Sequence, residues 1–565
     1  MQIVILLLFL IGINSVQAQS DLELVKSFGK AIEYAPSFAK NGNTSTKTMS
    51  LDYIWNRPNG VKETLFKYLN TGEKDKFDQM IIYNAQKSLS SFLIEAYDTN
   101  NKIWMRDIAS LYLIPFKYLT DGSDLIAFPY PIMQDGSENA RKELKVSRKF
   151  RLWVYEGGIK KKDGTYFKYE NEISSSQFLY AVSVIIHYAI KNHLENEKVF
   201  KEFIEKYYPI AMNDHYLRWI FNRGIPTGSF TARGWKCNSG AFSHNKYIEH
   251  LTERRFGTIY FKNSGITPNP WVYCNAYQDK DGWIALGVAH LMAAHKLNQS
   301  VVPIDSRDYD ELEKYLQKSL NLFNKRSKYE EYKTPDGKLV DIMVFDKGGM
   351  YGFADLNYSG YEEEKFPGWT TLDKNPAVPP SQKEVSWDMG HARRFVNFYW
   401  SFDKIINDLG LDFSNNREFP DLEDSRSAYA NNLLYKAAKK FDSKQAFGRY
   451  NVYFTNYLCG NDGWYRVNYQ KKPDASTSNS PSKFKGASGL SKSVLEGGQA
   501  YFIQYSNNKE LLEPIKALYE GQRKKENPFG GDVYDEINST ASMPEDFFKS
   551  QKINLFPSPT SSLFR

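Results

Sequence analysis

Nearly every residue from 178 to 190 is apolar, whichever face of a helix it would occupy. A helix with no polar side is stable in water only when other elements surround it, so this run demands a thick, layered fold. Residues 284–297, rich in Ala and carrying His290 and His295, have the same character. One-faced patterns recur around these two. Leu312, Leu316, Leu320 and Phe323 follow the turn at Asp305-Ser306, with Asp308 and Glu311 reading as a capping-box start. Phe395, Val396, Phe398, Tyr399, Phe402, Ile405, Ile406 and Leu409 run up to Gly410, and Leu511, Leu512, Ile515, Leu518 and Tyr519 form a third set. Further helices are expected near 22–34, 79–97, 105–119, 198–207 and 425–441. Strand signals are confined to short runs at 258–261, 451–457 and 464–469. Paired helices joined by long Gly- and aromatic-rich connections predict an all-α fold. The expected form is an (α/α) toroid, a complete or incomplete barrel of helical hairpins with a few short β-hairpins in its loops. An irregular helical solenoid is the alternative.

Residues 3–13 are apolar and Val16-Gln17-Ala18 forms a small-residue cleavage site before Gln19. Residues 1–18 therefore read as a signal peptide, although no Lys or Arg precedes the apolar run. The expected product is secreted or periplasmic. No Cys follows the run to carry a lipid, and no later segment reads as long enough to span a membrane. No composition shift divides residues 19–550, which are expected to form one domain. Residues 471–493 are polar and rich in Ser and Pro, suited to a flap. The tail, 551–565, reads as disordered, and its Asn554-Leu555-Phe556-Pro557-Ser558-Pro559 resembles the opening of a sorting domain.

Aromatic residues make up 15% of the chain, with 11 Trp, 39 Tyr and 37 Phe, enough to line a groove with rings that stack on sugars as well as to fill the core. Net charge is +7, spread along the chain rather than clustered. That balance suits a polyanionic substrate, and the lack of a basic tract interleaved with aromatics argues against nucleic acid. Cys237 and Cys274 could brace the segment between them in an oxidising compartment; the odd count leaves at least one thiol outside any bridge.

Two segments carry the chemistry. The first is Asn213-Asp214-His215-Tyr216-Leu217-Arg218-Trp219, and the second is Arg254-Arg255-Phe256-Gly257-Thr258-Ile259-Tyr260. Breaking a uronic acid polymer by β-elimination means removing the C5 proton beside a carboxylate, which builds a second negative charge there. Asn213, His215 and Arg254 can neutralise that carboxylate where the charge develops. Tyr260, its phenol acidified by Arg254 and Arg255, would take the proton and return it to the departing O4. Taken alone, each of these residues is more often a structural or packing residue than a catalytic one; the ordered combination is what points to elimination.

The order His, Arg, Tyr, with Arg and Tyr six residues apart, resembles helical-toroid alginate lyases, polysaccharide lyase families 5 and 38 being the nearest. The resemblance implies a toroid, a loop carrying Asn213 and His215, a later loop carrying Arg254 and Tyr260, and cleavage of polymannuronate or glucuronan. Asp214 departs from it, standing where an Asn is expected.

A second constellation, Trp387-Asp388-Met389-Gly390-His391-Ala392-Arg393-Arg394, puts a ring, a His and two Arg at the start of a helix, where the dipole also favours anions. It reads equally as an Asp388 N-cap with its arginines in surface ion pairs. Trp283 and Trp464, in Asp281-Gly282-Trp283 and Asp462-Gly463-Trp464, occupy turn signatures that would present sugar platforms or bury the ring at a loop corner. Arg255 and His244 complete the expected substrate-binding set. No cofactor is expected; a structural Ca2+ is left open, with no calcium-loop spacing in its favour. The expected partner is an anionic polysaccharide, and the expected state a monomer or weak dimer. Two rivals remain. A glycoside hydrolase on the same toroid would use paired carboxylates from Asp107, Asp281, Asp388 and Asp462. A non-catalytic glycan-binding protein would need the aromatics alone.

Overall fold

Asn101, Asn171 and Asp305 are short polar residues standing just before apolar-periodic segments, and each side chain accepts hydrogen bonds from backbone N–H groups of the following turn. Such caps fix where a helix begins. The computed structural model describes residues 56, 61–70, 80–121, 150–160, 166–224, 236–237, 240–241, 243–253, 276–334, 337–347, 386–387, 392, 394–410, 422–442, 451–454, 458–459 and 491–494. The expected signal peptide, the tail, the helices near 22–34 and 511–519, and the strands at 258–261 and 464–469 lie outside them.

Among the described residues the chain is mostly helical. Helix α1 spans Val61–Asn70, α2 Met80–Asp98 and α3 Lys102–Leu113, which tightens into a 3-10 turn at Ile114–Tyr118. Two antiparallel ladders follow, β1 (Thr120–Asp121) with β2 (Arg151–Leu152) and β3 (Val154–Lys160) with β4 (Tyr166–Glu170). Next come α4 (Glu172–Lys191), α5 (Lys198–Glu202), π-helical turns at Phe203–Tyr207 and Ile210–Tyr216, and α6 (Leu217–Phe221). The pair β5 (Lys236–Cys237) and β6 (Gly240–Ala241) precedes α7 (His244–Glu253), α8 (Asp279–Leu297) and α9 (Ser306–Arg326). The hairpin β7 (Ser327–Lys333) and β8 (Leu339–Phe345) leads to α10 (Phe395–Leu409) and α11 (Leu422–Asn431), which ends in a π-helical turn at Asn432–Ala437. Strands β9 (Ala438–Asp442), β10 (Asn451–Phe454) and β11 (Ser491–Val494) form an antiparallel sheet in the order β11-β10-β9.

Helices α2, α4, α8 and α10 run parallel. At their starts, Gln177 of α4 donates to the Tyr83 carbonyl of α2, and Arg394, capping α10, meets Asp279 of α8 at 2.7 Å and the Tyr83 hydroxyl at 2.8 Å. At their ends, Lys296 donates to the Leu409 carbonyl, Lys191 pairs with Asp408, and Lys404 pairs with Asp98. The chain following each member runs back along the set: Phe116, just after α3, touches Phe178 early in α4, Tyr216 bonds Ser183, Phe323 late in α9 packs on Phe395, and Tyr429 of α11 reaches the Ala392 carbonyl. Helix α8 carries glycines where neighbouring side chains approach its backbone. A Cβ on Gly282 would strike the Phe398 ring, and one on Gly287 would strike the Tyr216 hydroxyl.

One sequence expectation needs correction. Helix α4 is long and apolar enough to cross a membrane by length and composition, with mean hydropathy 1.3 over its best window. That window is 94% buried inside the protein, so it meets the test in the manner of a core helix.

From the ends of the parallel helices to their middle, polar groups form a one-way chain. The Asp408 carboxylate accepts from His187 Nε2 at 3.0 Å, which leaves His187 Nδ1 to accept from His290 Nδ1 at 2.9 Å. His290 Nε2 then accepts from Ser401, 3.1 Å away, and Ser401 from the Tyr180 hydroxyl at 2.7 Å. The neutral rings satisfy every one of these bonds. Burial lowers the pKa of His187, opposed by Asp408, and burial with the neighbouring His187 takes His290 further down. The unfolded chain takes up protons near the ordinary histidine pKa of about 6.5 while the folded rings stay neutral. Stability contributed here is therefore present above about pH 6.5 and is lost as pH falls below it, at about 1.4 kcal/mol per pH unit for each ring. Urea denaturation should show that slope, and His290→Asn should reduce it by about one ring's share. An unchanged slope would remove His290 from the account.

Candidate functional site at the helix starts

The links leaving the ends of α2, α4, α8 and α10 are short: 99–101, 192–197, 298–305 and 411–421. Those returning to the starts of α4, α8 and α10 are long: 119–171, 222–278 and 327–394. Long connections concentrate function on one end of a scaffold, and here that end holds the helix starts, where the dipole is positive. Acidic residues answer it in the first turns, Glu172 in α4 and Asp279 and Asp281 in α8.

Glu170, the last residue of β4, is fully buried. Its carboxylate receives Arg218 Nη2 at 2.5 Å, His215 Nδ1 at 3.1 Å and Trp219 Nε1 at 3.3 Å. Burial alone would raise its pKa, but Arg218 and His215 outweigh burial and hold it below the usual carboxylate range. An ionised Glu170 only accepts, so His215 Nδ1 carries the proton in that bond. His215 Nε2 is buried without a hydrogen-bond partner.

Two residues further on, Glu172 behaves in the opposite way. Burial pushes its carboxyl up to about 8, Lys280 opposing and Glu170 reinforcing the shift, so it is largely protonated at neutral pH. Its Oε1 has no hydrogen-bond partner. Lys280, also buried, has its pKa lowered by burial against the pull of Glu172, Asp281 and Asp279. Asp281 closes a capping box with Gln278 and receives His244 Nε2 at 2.9 Å, while His244 Nδ1 meets the Tyr315 hydroxyl at 2.7 Å. The result is a low-dielectric patch with paired charges, one neutral carboxyl and one unengaged imidazole nitrogen. Such perturbed groups are what acid–base chemistry requires.

The expected site residues fall into three groups. Asn213 is exposed on the π-helical turn at Ile210–Tyr216, at this end of the molecule, while His215 on the same turn is buried. The resemblance placed both on a loop; the apolar residues around them make a helical turn instead. Arg254, Arg255, Tyr260, His391, Arg393 and Trp464 lie outside the described residues, as does Cys274, so the proposed bridge to Cys237 does too. The remaining residues serve structural contacts. Trp283 is not a platform: its position is helical, and its ring sits between Tyr180 and Phe398. Trp387 is fully buried, donates to the Tyr277 carbonyl, and packs against Phe345 and Phe395. Arg394 is neither a surface ion pair nor an open anion receptor, because Asp279 and Tyr83 engage it. His244 is fully buried on Asp281. Asp308 and Glu311 do not cap α9, a task Asp305 performs; they hold Arg223. Cys459 is a buried thiol that is not in a disulfide.

Sequence reasoning missed Glu170, Glu172, Lys280 and Arg151. The signal for the first two was Glu170-Asn171-Glu172 just before the all-apolar run, an N-cap flanked by carboxylates that the helix start carries into the interior. Among the described residues no group of His, Cys, Asp and Glu could hold a metal ion. Comparison of the chain with protein-family models, curated proteins and solved structures finds no match to any of them.

Proposed function

We propose that the protein is a polyuronate lyase built on an (α/α) toroid, with its groove at the helix-start end. The observation that carries this reading is the gathering there of four parallel helix starts, the buried Glu170–His215–Arg218 cluster and exposed Asn213. The described residues bracketing the Arg254–Tyr260 segment support it further. Leu251, in the last turn of α7, accepts from Arg326, and Ala276 accepts from the Tyr247 hydroxyl, both at this same end. The parallel helices with their returning partners support the toroid, whose closure is part of the proposal.

In this mechanism Tyr260 removes the C5 proton, the C4–O4 bond breaks, a C4–C5 double bond forms, and the same hydroxyl protonates O4. Arg254, Asn213 and His215 neutralise the carboxylate where charge accumulates. His215 acts through Nε2, the ring atom left over after Nδ1 is committed to Glu170, and the residues covering it must part for substrate to reach it. The hydrolase alternative draws less support, its candidates Asp388 and Asp462 lying outside the described residues. Asp281 has both oxygens engaged inside the protein, and Asp107 lies on α3, paired with Lys62.

Ultraviolet absorbance tests the proposal, because elimination creates a conjugated double bond and hydrolysis does not. A single tyrosine reaches the C5 proton and O4 only when both leave from one face, which β-mannuronate and β-glucuronate allow and α-guluronate does not. Absorbance should therefore rise with polymannuronate or polyglucuronate and scarcely with polyguluronate. New reducing ends without absorbance would indicate hydrolysis, and neither signal would indicate a binding protein.

A further inference from the structure

We infer that Arg151 is a carboxylate-binding residue of the groove, holding a uronate carboxylate beside Asn213; the inference rests on the polyuronate reading above. The argument starts from how Arg151 is held. It lies in β2, at the return of the long 119–171 connection to the helix starts, and 57% of its side chain is exposed. Asp214, only 6% exposed, fixes it through one oxygen: Oδ2 accepts from the Arg151 backbone N–H at 3.3 Å and from Nε at 3.2 Å. Backbone and side chain are thus tied to one buried anion.

That geometry differs from an arginine whose task is an ion pair. Arg106, of similar exposure and at the opposite end of the molecule, gives its Nε and Nη2 to the two oxygens of Glu197 at 2.6 and 2.7 Å, the side-on fork that consumes one edge of the guanidinium. In Arg151 only Nε is taken. Among the described residues its Nη1 and Nη2 make no hydrogen bond, so the edge best matched to a carboxylate stays open to solvent. Asp214 aims this edge and lowers the entropy lost on binding. Asn213, next in the chain to Asp214, is exposed at the same place. Arg151 therefore offers a cation beside that turn, to the carboxylate of a neighbouring uronate of the polymer rather than the reacting one, and it requires none of the opening that buried His215 requires. The arrangement recognises the carboxylate and not the neutral sugar.

Steady-state kinetics and calorimetric titration with polymannuronate and polyglucuronate oligosaccharides test this, alongside the same oligosaccharides with their carboxyls reduced to alcohols. Arg151→Gln should raise KM and Kd for the acidic sugars about 10- to 100-fold, as expected for a lost charge-assisted contact, with kcat little changed because the contact is equal in ground and transition states. Arg151→Lys should recover part of the loss. Binding of the carboxyl-reduced sugars should be the same for wild type and variant, and Arg307→Gln, at the far end, should leave all values unchanged. Wild-type elimination with unaltered KM and Kd in Arg151→Gln would overturn the Arg151 assignment alone. A wild type that neither binds nor cleaves these acids would overturn the polyuronate reading and this inference with it.

Discussion

Tyr260→Phe is expected to lower turnover on polymannuronate by about 10²- to 10⁴-fold, the range for one general acid–base group, while oligosaccharide binding stays near the wild-type value. The substitution deletes a hydroxyl and retains the ring, so only proton transfer should be lost. In the proposed mechanism the same hydroxyl serves both steps, so the loss should lie towards the upper part of that range. The pH profile offers a second check. A phenolate base must be ionised in the free enzyme, so kcat/KM should rise with pH through an ionisation that cations bring below the ordinary phenol value of about 10. A Tyr260→Phe enzyme that keeps more than roughly a tenth of wild-type turnover, well above the range for a general acid–base group, would remove Tyr260 from the mechanism.

The helices were legible where one face repeats over several turns. The segment 79–97 appears as Met80–Asp98, 105–119 as Lys102–Leu113 with its 3-10 turn, and the pattern from Phe395 to Gly410 as Phe395–Leu409, closed by Gly410 in the left-handed region. The apolar run 178–190 lies within a helix buried on nearly every side, for the reason its composition implied. Shorter elements were missed because their order comes from contacts and not from periodicity. The β7–β8 hairpin has a turn signature in Thr334-Pro335-Asp336-Gly337, but its strands show too little alternation to announce themselves. The segment 425–441 reads as one helix, whereas the chain leaves helical geometry after Ala437 to pair as β9.

The site was legible in part. Asn213 and His215 lie at the helix-start end, on a helical turn and not on the loop that the resemblance implied, and neighbouring residues in one helical turn point to different sides. Asn213 faces solvent, Asp214 meets Arg151, and His215 meets Glu170. Sequence spacing cannot reveal which partner arrives from a distant strand. Trp283 misled for the opposite reason. Asp281-Gly282 reads as a turn locally, yet the capping box at Gln278 and the apolar residues beyond make it the first turn of a helix. Its glycine serves the close approach of Phe398.

Arg218→Ala should destabilise the protein by about 3–5 kcal/mol at neutral pH, the usual cost of leaving one member of a buried ion pair without the other. Arg218 is 1% exposed and Glu170 fully buried, so water cannot replace the lost guanidinium. The same substitution removes the Nε bond to the Asp214 carbonyl at 2.6 Å and the guanidinium packed over Phe150 and Trp219. The pH dependence should change sign. In the wild type the Glu170 pKa is depressed, so its contribution is present above the unfolded carboxylate value and is lost as pH falls through the folded one. Without Arg218 burial dominates and raises that pKa, so the neutral acid becomes the favoured folded form and stability falls as pH rises. The deficit should therefore be larger at pH 7 than at pH 5. Replacing both partners, as Glu170→Gln with Arg218→Met, should cost less than Arg218→Ala alone, since no buried charge is left over. Urea denaturation at the two pH values measures all three quantities, provided the m-value is unchanged. A deficit under about 1 kcal/mol at pH 7, or one that grows towards pH 5, would mean that Glu170 is not held ionised by Arg218. His215 Nδ1 would then lose the fixed acceptor that leaves Nε2 available for substrate.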